Sequence, residues 1–257
     1  MKSDIYGIEK WGKIFFKILK NGNLGLLNPL KKKNPPVDLT SIIKSLNKNL
    51  SPPYIIRVTD YLEYMINDIN DSFNKSIRSI GYKNKFKSIY PIKVNQQSQV
   101  VKNVIKFGKK FNSGLEVGSK AELLIALSQN LTKDALIVCN GTKDKEFINL
   151  SLLANKIEIK TIIVIESLRE LDLIIKISSL LKIKPLLGIR IKLTNVVSGK
   201  WSQSSGDRSA FGLPVDKITE ALNKLKLNNL LDCLILQHSH LGSQVPDIIE
   251  IRKYTQE

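Results

Sequence analysis

The sequence predicts an α/β protein built as an incomplete (β/α)8 barrel of TIM type, with about six of eight strands and a short N-terminal β segment. Three observations lead there. Strand-like runs "SIYPIKV", "FNSGLEV", "ALIVCN", "TIIVIE" and "LLGIRIK" recur about every two dozen residues, each followed by a helix-like segment, the rhythm of successive βα units. Helix starts follow directly on the second and fourth runs, where Ser119-x-x-Glu122 and Ser167-x-x-Glu170 form capping boxes. Polar residues suited to chemistry stand at the carboxyl ends of several different runs. Barrel sites form there, whereas an open doubly wound sheet gathers them at one switch point.

The elements follow in order. Residues 1–53 are read as an N-terminal β segment and linker, and 54–257 as the barrel, which ends after strand six. In the first part "KIFFKILKNGNLGLLNP" reads as two short strands around an Asn-Gly turn, and "PLKKKNPP" as a solvated link. A helix then starts near Asp60, with Glu63 three residues on. Leu62, Met65, Ile66, Ile69, Phe73, Ile77 and Ile80 recur along one face until Gly81, so this face belongs against a core. After the fifth run come the loop "VVSGKWSQSSGDRSAFGL", the helix "VDKITEALNKLKL" and a sixth strand within "LDCLILQHSHLGSQ". Apolar strands with helices between them imply a parallel sheet buried on both faces. The last residues, "PDIIEIRKYTQE", fall in the helix after strand six. The expectation is therefore a truncated barrel with unpaired edges, poorly stable and inactive alone.

Composition excludes several classes. The longest apolar runs are far shorter than the roughly 20 residues of a membrane helix, and "MKSDIYGIEKWGK" lacks the apolar core of a secretory signal. The expectation is a cytoplasmic protein with no membrane partner. Neither cysteine, Cys139 or Cys233, has metal-ligand spacing, and both are expected to be buried thiols. A net charge of +17 invites a polyanion, but the lysines are scattered along the chain, so no nucleic-acid partner is expected.

Lys93 interrupts the first run, where it shares a strand face with Ile89, Pro91 and Asn95. Desolvation at a barrel mouth would make its amine a neutral nucleophile for an aldehyde; equally, the ammonium can snorkel to the rim or pair with a carboxylate. Pro91 lacks the N–H that a central strand needs. His238 and His240 form H-x-H on one face of the sixth strand. They read as a metal pair, as a flat ring stacking on a planar ligand, or as hydrogen-bonded core residues; no third histidine supports the metal. Gly242 and Ser243 make a turn suited to phosphate. Glu116 and Arg190 fall at the ends of strands two and five, and would converge with Lys93 and His240 on one mouth.

In this order, "YPIKVNQQ", "GLEVGSKAELL", "LIVCNGTKD", "KPLLGIRIK", "SGKWSQSSGDRSAFGL" and "HSHLGSQ" closely resemble the biosynthetic arginine decarboxylases, pyridoxal-phosphate enzymes with an alanine-racemase-like barrel. The likeness runs over essentially the whole chain. It implies that Lys93 holds pyridoxal phosphate covalently, that His240 stacks on its ring, that Ser243 lies near its phosphate, and that Glu116 and Arg190 line the pocket. It further implies decarboxylation of L-arginine to agmatine and carbon dioxide, the first step of polyamine and spermidine biosynthesis, with Mg2+ as a second cofactor and a homo-oligomer at full length. Ser113, Thr142, Ala210 and Ser239 stand where the family commonly has an aromatic residue, tyrosine, lysine and phenylalanine. The alternatives are a non-catalytic pyridoxal-phosphate-binding barrel or regulatory partner, and a decarboxylase for another basic amino acid.

Overall fold

The computed structural model describes residues 5–12, 14–46, 51–193, 211–242, 245 and 247–256. These fall into two compact units, one of residues 1–86 with 106–108 and one of 87–105 with 109–257. The long helix that follows residue 53 falls in the first unit, tied to the hairpin that precedes it by the Tyr61 hydroxyl.

In the first unit, α1 (Ile8–Trp11) leads into an antiparallel pair, β1 (Phe16–Ile18) and β2 (Leu24–Leu26), with Phe16 opposite Leu26. The expected Asn-Gly turn joins them: Gly22 has φ 85°, which a side chain would resist. Short β3 (Val37–Asp38) adds antiparallel to β2. The Asp38 carboxylate accepts from the Asn23 amide at 2.8 Å and from the Thr40 N–H at 2.9 Å, which caps α2 (Leu39–Ser45). The Asn23 and Asn21 amides hold this carboxyl below its usual range.

The helix α3 (Thr59–Ser79) follows and ends before Gly81, at φ 67°. Asp60 does not cap it. It lies inside the first turn, and its carboxylate accepts from the Asn28 amide. Next to it, the Tyr61 hydroxyl donates to the Phe15 carbonyl at 2.6 Å, with the two rings 4.5 Å apart. Of the face expected against a core, Met65, Ile69 and Phe73 remain about half exposed, although Phe73 stacks on Phe86 at 3.9 Å.

The second unit is the βα series. It runs β4 (Ile89–Pro91), α4 (Ser98–Gly108), β5 (Gly114–Val117), α5 (Lys120–Leu127), β6 (Ile137–Cys139) and α6 (Lys145–Lys156). Next come β7 (Thr161–Ile165), α7 (Leu168–Leu181), β8 (Leu186–Arg190), α8 (Val215–Leu227), β9 (Leu234–His238) and α9 (Ile248–Gln256). All six strands are parallel and pair in sequence order, an incomplete β/α barrel as the rhythm of the sequence predicts. β5, β6 and β7 are buried along their whole length, so side chains on both faces are covered. One apolar cluster joins Leu115, Leu123, Ile137 and Phe147, and another joins Ile163, Ile174, Leu187 and Leu225. Each such side chain stabilises the fold by about 1.5–3 kcal/mol.

The first strand departs from expectation. β4 stops at Pro91, and Ile92–Val94 form a single 3-10 turn, so Lys93 belongs to the turn and not to the strand. A proline cannot continue the ladder on the N–H side, and the chain turns at once. No helix among the described residues is long and apolar enough to cross a membrane.

Candidate functional site

Parallel strands deliver the side chains at their carboxyl ends to one side of the sheet. The register places Pro91 beside Glu116 and Glu116 beside Val138. At the other end it places Arg190 beside His238. The capping boxes fix the turns that follow. Ser119 accepts from the Glu122 N–H at 3.3 Å while Glu122 accepts from the Gly118 N–H at 2.7 Å. Ser167 accepts from the Glu170 N–H at 3.2 Å. Together these ends line a cavity of about 670 Å³ that includes Ile89, Pro91, Val138 and Leu236 as apolar walls and Lys93, Glu116, Arg190, His238 and His240 as polar groups. Its volume lies within the range of roughly 300–1,000 Å³ seen for small-molecule sites.

The predicted convergence on one mouth is therefore found for Lys93, Glu116, Arg190 and His240. Ser243 lies outside the described residues. Lys93 keeps its side toward the cavity despite the turn, and its Nζ lies 3.6 Å from Oε1 of Glu116. With 62% of its side chain exposed, the amine is not in the desolvated setting that the sequence reading invoked. Glu116 is held from behind by the Asn140 amide at 3.2 Å. Arg190 lies 3.4 Å from both oxygens of Glu166, with its guanidinium 5.4 Å from the centre of the Phe211 ring.

Both imidazoles are kept neutral at pH 7. Burial, then the nearby Arg190 charge, pushes His238 down from 6.5 to about 4. The same two causes lower His240. The Nδ1 of His238 is buried without a hydrogen-bond partner among the described residues. Among the described residues no three His, Cys, Asp or Glu side chains cluster as metal ligands. Cys139 and Cys233 are buried free thiols, as expected.

Sequence reasoning did not single out Asn140, Glu166, Lys143 or Phe211, and it read Glu170 only as a capping-box residue. The first two had a legible signal, each being the polar residue that closes an apolar strand run, "ALIVCN" and "TIIVIE". Of the positions that depart from the resemblance, Ser113 sits at the opposite, amino end of β5, where its hydroxyl bonds that of Ser88 at 2.6 Å.

An amine, a carboxylate, a guanidinium and two imidazoles surround one cavity at the carboxyl side of a parallel β/α sheet, the side where the sites of β/α-barrel proteins form. The chain belongs to the pyridoxal-dependent decarboxylases: it matches their pyridoxal binding domain over residues 66–257. It is 43% identical over 253 residues to a biosynthetic arginine decarboxylase of Prochlorococcus marinus (strain AS9601), spanning 98% of this chain and 39% of that protein. The Gloeobacter violaceus enzyme of the same name is 42% identical over 97% of this chain and 39% of its own length. Among solved structures, the biosynthetic arginine decarboxylase of Campylobacter jejuni superposes with a TM-score of 0.84 at 37% identity, over 97% of this chain and 39% of that one. A diaminopimelate decarboxylase from M. jannaschii, at 22% identity and a TM-score of 0.66 over 96% of this chain and 53% of that one, shares the fold. The chain spans about 39% of the length of the curated relatives it matches.

Proposed function

We propose that this chain carries the pyridoxal-phosphate-binding part of an arginine decarboxylase that releases carbon dioxide from L-arginine and forms agmatine. The observation that carries the reading is the exposed Lys93 amine in the mouth, 3.6 Å from Glu116 and lining the same cavity as His238 and His240. The residues present fit the cofactor. Lys93 would hold the cofactor through its amine, the apolar walls and the His240 ring would suit a flat aromatic face, and the cavity has the size of a small-molecule site. When bound, pyridoxal phosphate supplies an electron sink for the pair released from the bond between Cα and the carboxylate.

The chain's own groups then divide the remaining work. Glu116, 3.6 Å from the Lys93 ammonium, pairs with it and orients that side chain toward the cavity. Arg190, held by Glu166, presents a fixed positive charge to an anionic group at the mouth. Arginine as the substrate is supported by the named activity of the relatives at 42–43% identity and of the Campylobacter jejuni structure. Magnesium dependence, Ser243 near the phosphate, a place in polyamine biosynthesis, self-association and a cytoplasmic location join this reading through the family resemblance.

The test has two arms. Stoichiometric pyridoxal phosphate, borohydride reduction and peptide mapping should place the phosphopyridoxyl group on Lys93, and Lys93→Gln should abolish that label. Labelling scattered over surface lysines with Lys93 unmodified refutes the cofactor assignment. For the substrate, the chain is supplemented with the region of the Gloeobacter violaceus relative that it does not span, and agmatine is measured. Agmatine formation that depends on Lys93 is the expected result. Preferential carbon dioxide release from ornithine or lysine overturns the choice of arginine, and no release at all favours a non-catalytic barrel.

A further inference from the structure

Beside the cavity, the ends of β6, β7 and β8 are joined by a chain of buried charges, of which only the Arg190–Glu166 end enters the proposed chemistry. At its far end stands Lys143, whose side chain is 0% exposed. Its Nζ donates to the Gly141 carbonyl and lies 3.4 Å from Oε2 of Glu170. Glu170, the capping-box residue of α7, also accepts from the Lys143 N–H and from the Glu166 N–H, each at 3.0 Å. Glu166 in turn accepts from the Gly141 N–H at 2.9 Å and faces Arg190 at 3.4 Å. Two cations stand at the ends and two carboxylates between them. The chain therefore neutralises itself, and its four charges come from three successive strand ends, with Glu166 and Glu170 both following β7.

Stability alone is a poor reason for this arrangement. Enclosing an ammonium is expensive, and an apolar side chain of similar length often fills such a site with no loss of stability. What charged, directional contacts supply instead is geometry. Among the described residues, Arg190 is oriented at the cavity wall by Glu166 and Phe211. Gly141, also in the wall, is gripped at its N–H by Glu166 and at its carbonyl by Lys143.

We propose that Lys143 is a positioning residue for the pocket: acting through Glu170 and Glu166, it fixes the Asn140–Gly141 turn and the guanidinium of Arg190. Only the ligand arm of its test rests on the pyridoxal-phosphate reading.

The first arm needs no ligand. Amide hydrogen exchange in Lys143→Met is expected to accelerate about tenfold at Gly141 and Glu166, while Ile174 in α7 keeps its wild-type rate. Unchanged exchange at Gly141 and Glu166, or equal acceleration through the whole second unit, overturns the proposal. If the single variant is unstable, Lys143→Met combined with Glu170→Gln removes both charges together, and the same local acceleration is expected. The second arm is a double-mutant cycle on pyridoxal phosphate affinity with Lys143→Met and Arg190→Met. Lys143→Met should weaken binding about tenfold in the wild-type background and much less once Arg190 is gone. Additive losses overturn the coupling to Arg190. A wild-type chain that takes no label at Lys93 refutes the proposed function instead, and exchange then decides the positioning role by itself.

Discussion

Two glycines face each other across the rim of the cavity, and they should respond to alanine in opposite ways. Gly141 has φ 72°, and a Cβ built on it would lie 2.7 Å from the Gly118 carbonyl oxygen. Backbone cannot swing aside as a long side chain can, so either the turn after β6 or the turn after β5 has to move. The left-handed conformation costs an alanine about 1 kcal/mol, and forcing a methyl into filled space costs about 1–3 kcal/mol. Stiffening of the unfolded chain offsets about 0.5 kcal/mol of this. The net loss is about 1.5–3.5 kcal/mol, which lowers the melting temperature of a domain this size by roughly 3–14 °C. Gly118→Ala is the control. Its Cβ would meet nothing nearer than Glu122 Oε2 at 3.7 Å, and its φ is ordinary. It should stay within about 0.5–1 kcal/mol of wild type, on either side. Thermal unfolding followed by circular dichroism measures both. A Gly141→Ala chain that melts with the wild type, or a Gly118→Ala chain that falls equally far, refutes the reasoning from backbone contact.

Other expectations are independent of these. His238 titrates near 4 in the fold and near 6.5 when unfolded, so the unfolded chain binds the extra proton between those values. Stability should therefore fall as pH drops from 6.5 toward 4. His238→Gln should flatten that part of the profile in urea titrations at pH 7 and pH 5, and an unchanged slope would count against burial as the cause. Cys139 is fully buried, and burial pushes its thiol up to about 12. Iodoacetamide at pH 8 should leave it unmodified in the folded chain and alkylate it in urea, as peptide mass mapping would show.

Legibility in the sequence followed locality. The six strands and their helices could be read because each is short, apolar and bounded by its own cap, as at Ser119 and Ser167. Lys93, Glu116, Arg190 and His240 could be placed at one mouth because strand ends in a parallel sheet share a side. What the sequence concealed depends on contacts between distant strand ends. Glu166 reaches back 25 residues to Gly141, and Glu170 reaches 27 to Lys143. No period or spacing marks such pairs. Two readings stay open for Lys93 in the sequence, and the structure shows the exposed ammonium paired with a carboxylate; strand periodicity gives the direction of a side chain and says nothing of how much chain covers it. The half-open face of α3 carries the same lesson, since amphipathic spacing shows which face is apolar but not how fully it is packed.

Pro91 leaves the amine on a different mechanical footing from its partner. Glu116 is bolted into a strand that is paired on both sides, whereas Lys93 rides on a three-residue turn outside the ladder. The carboxylate is thus an anvil and the lysine a hinged arm. Under the proposed function the lysine would have to yield a bound aldehyde to an incoming amine and later take it back, and on this turn it could swing away and return without disturbing the sheet that holds everything else in register.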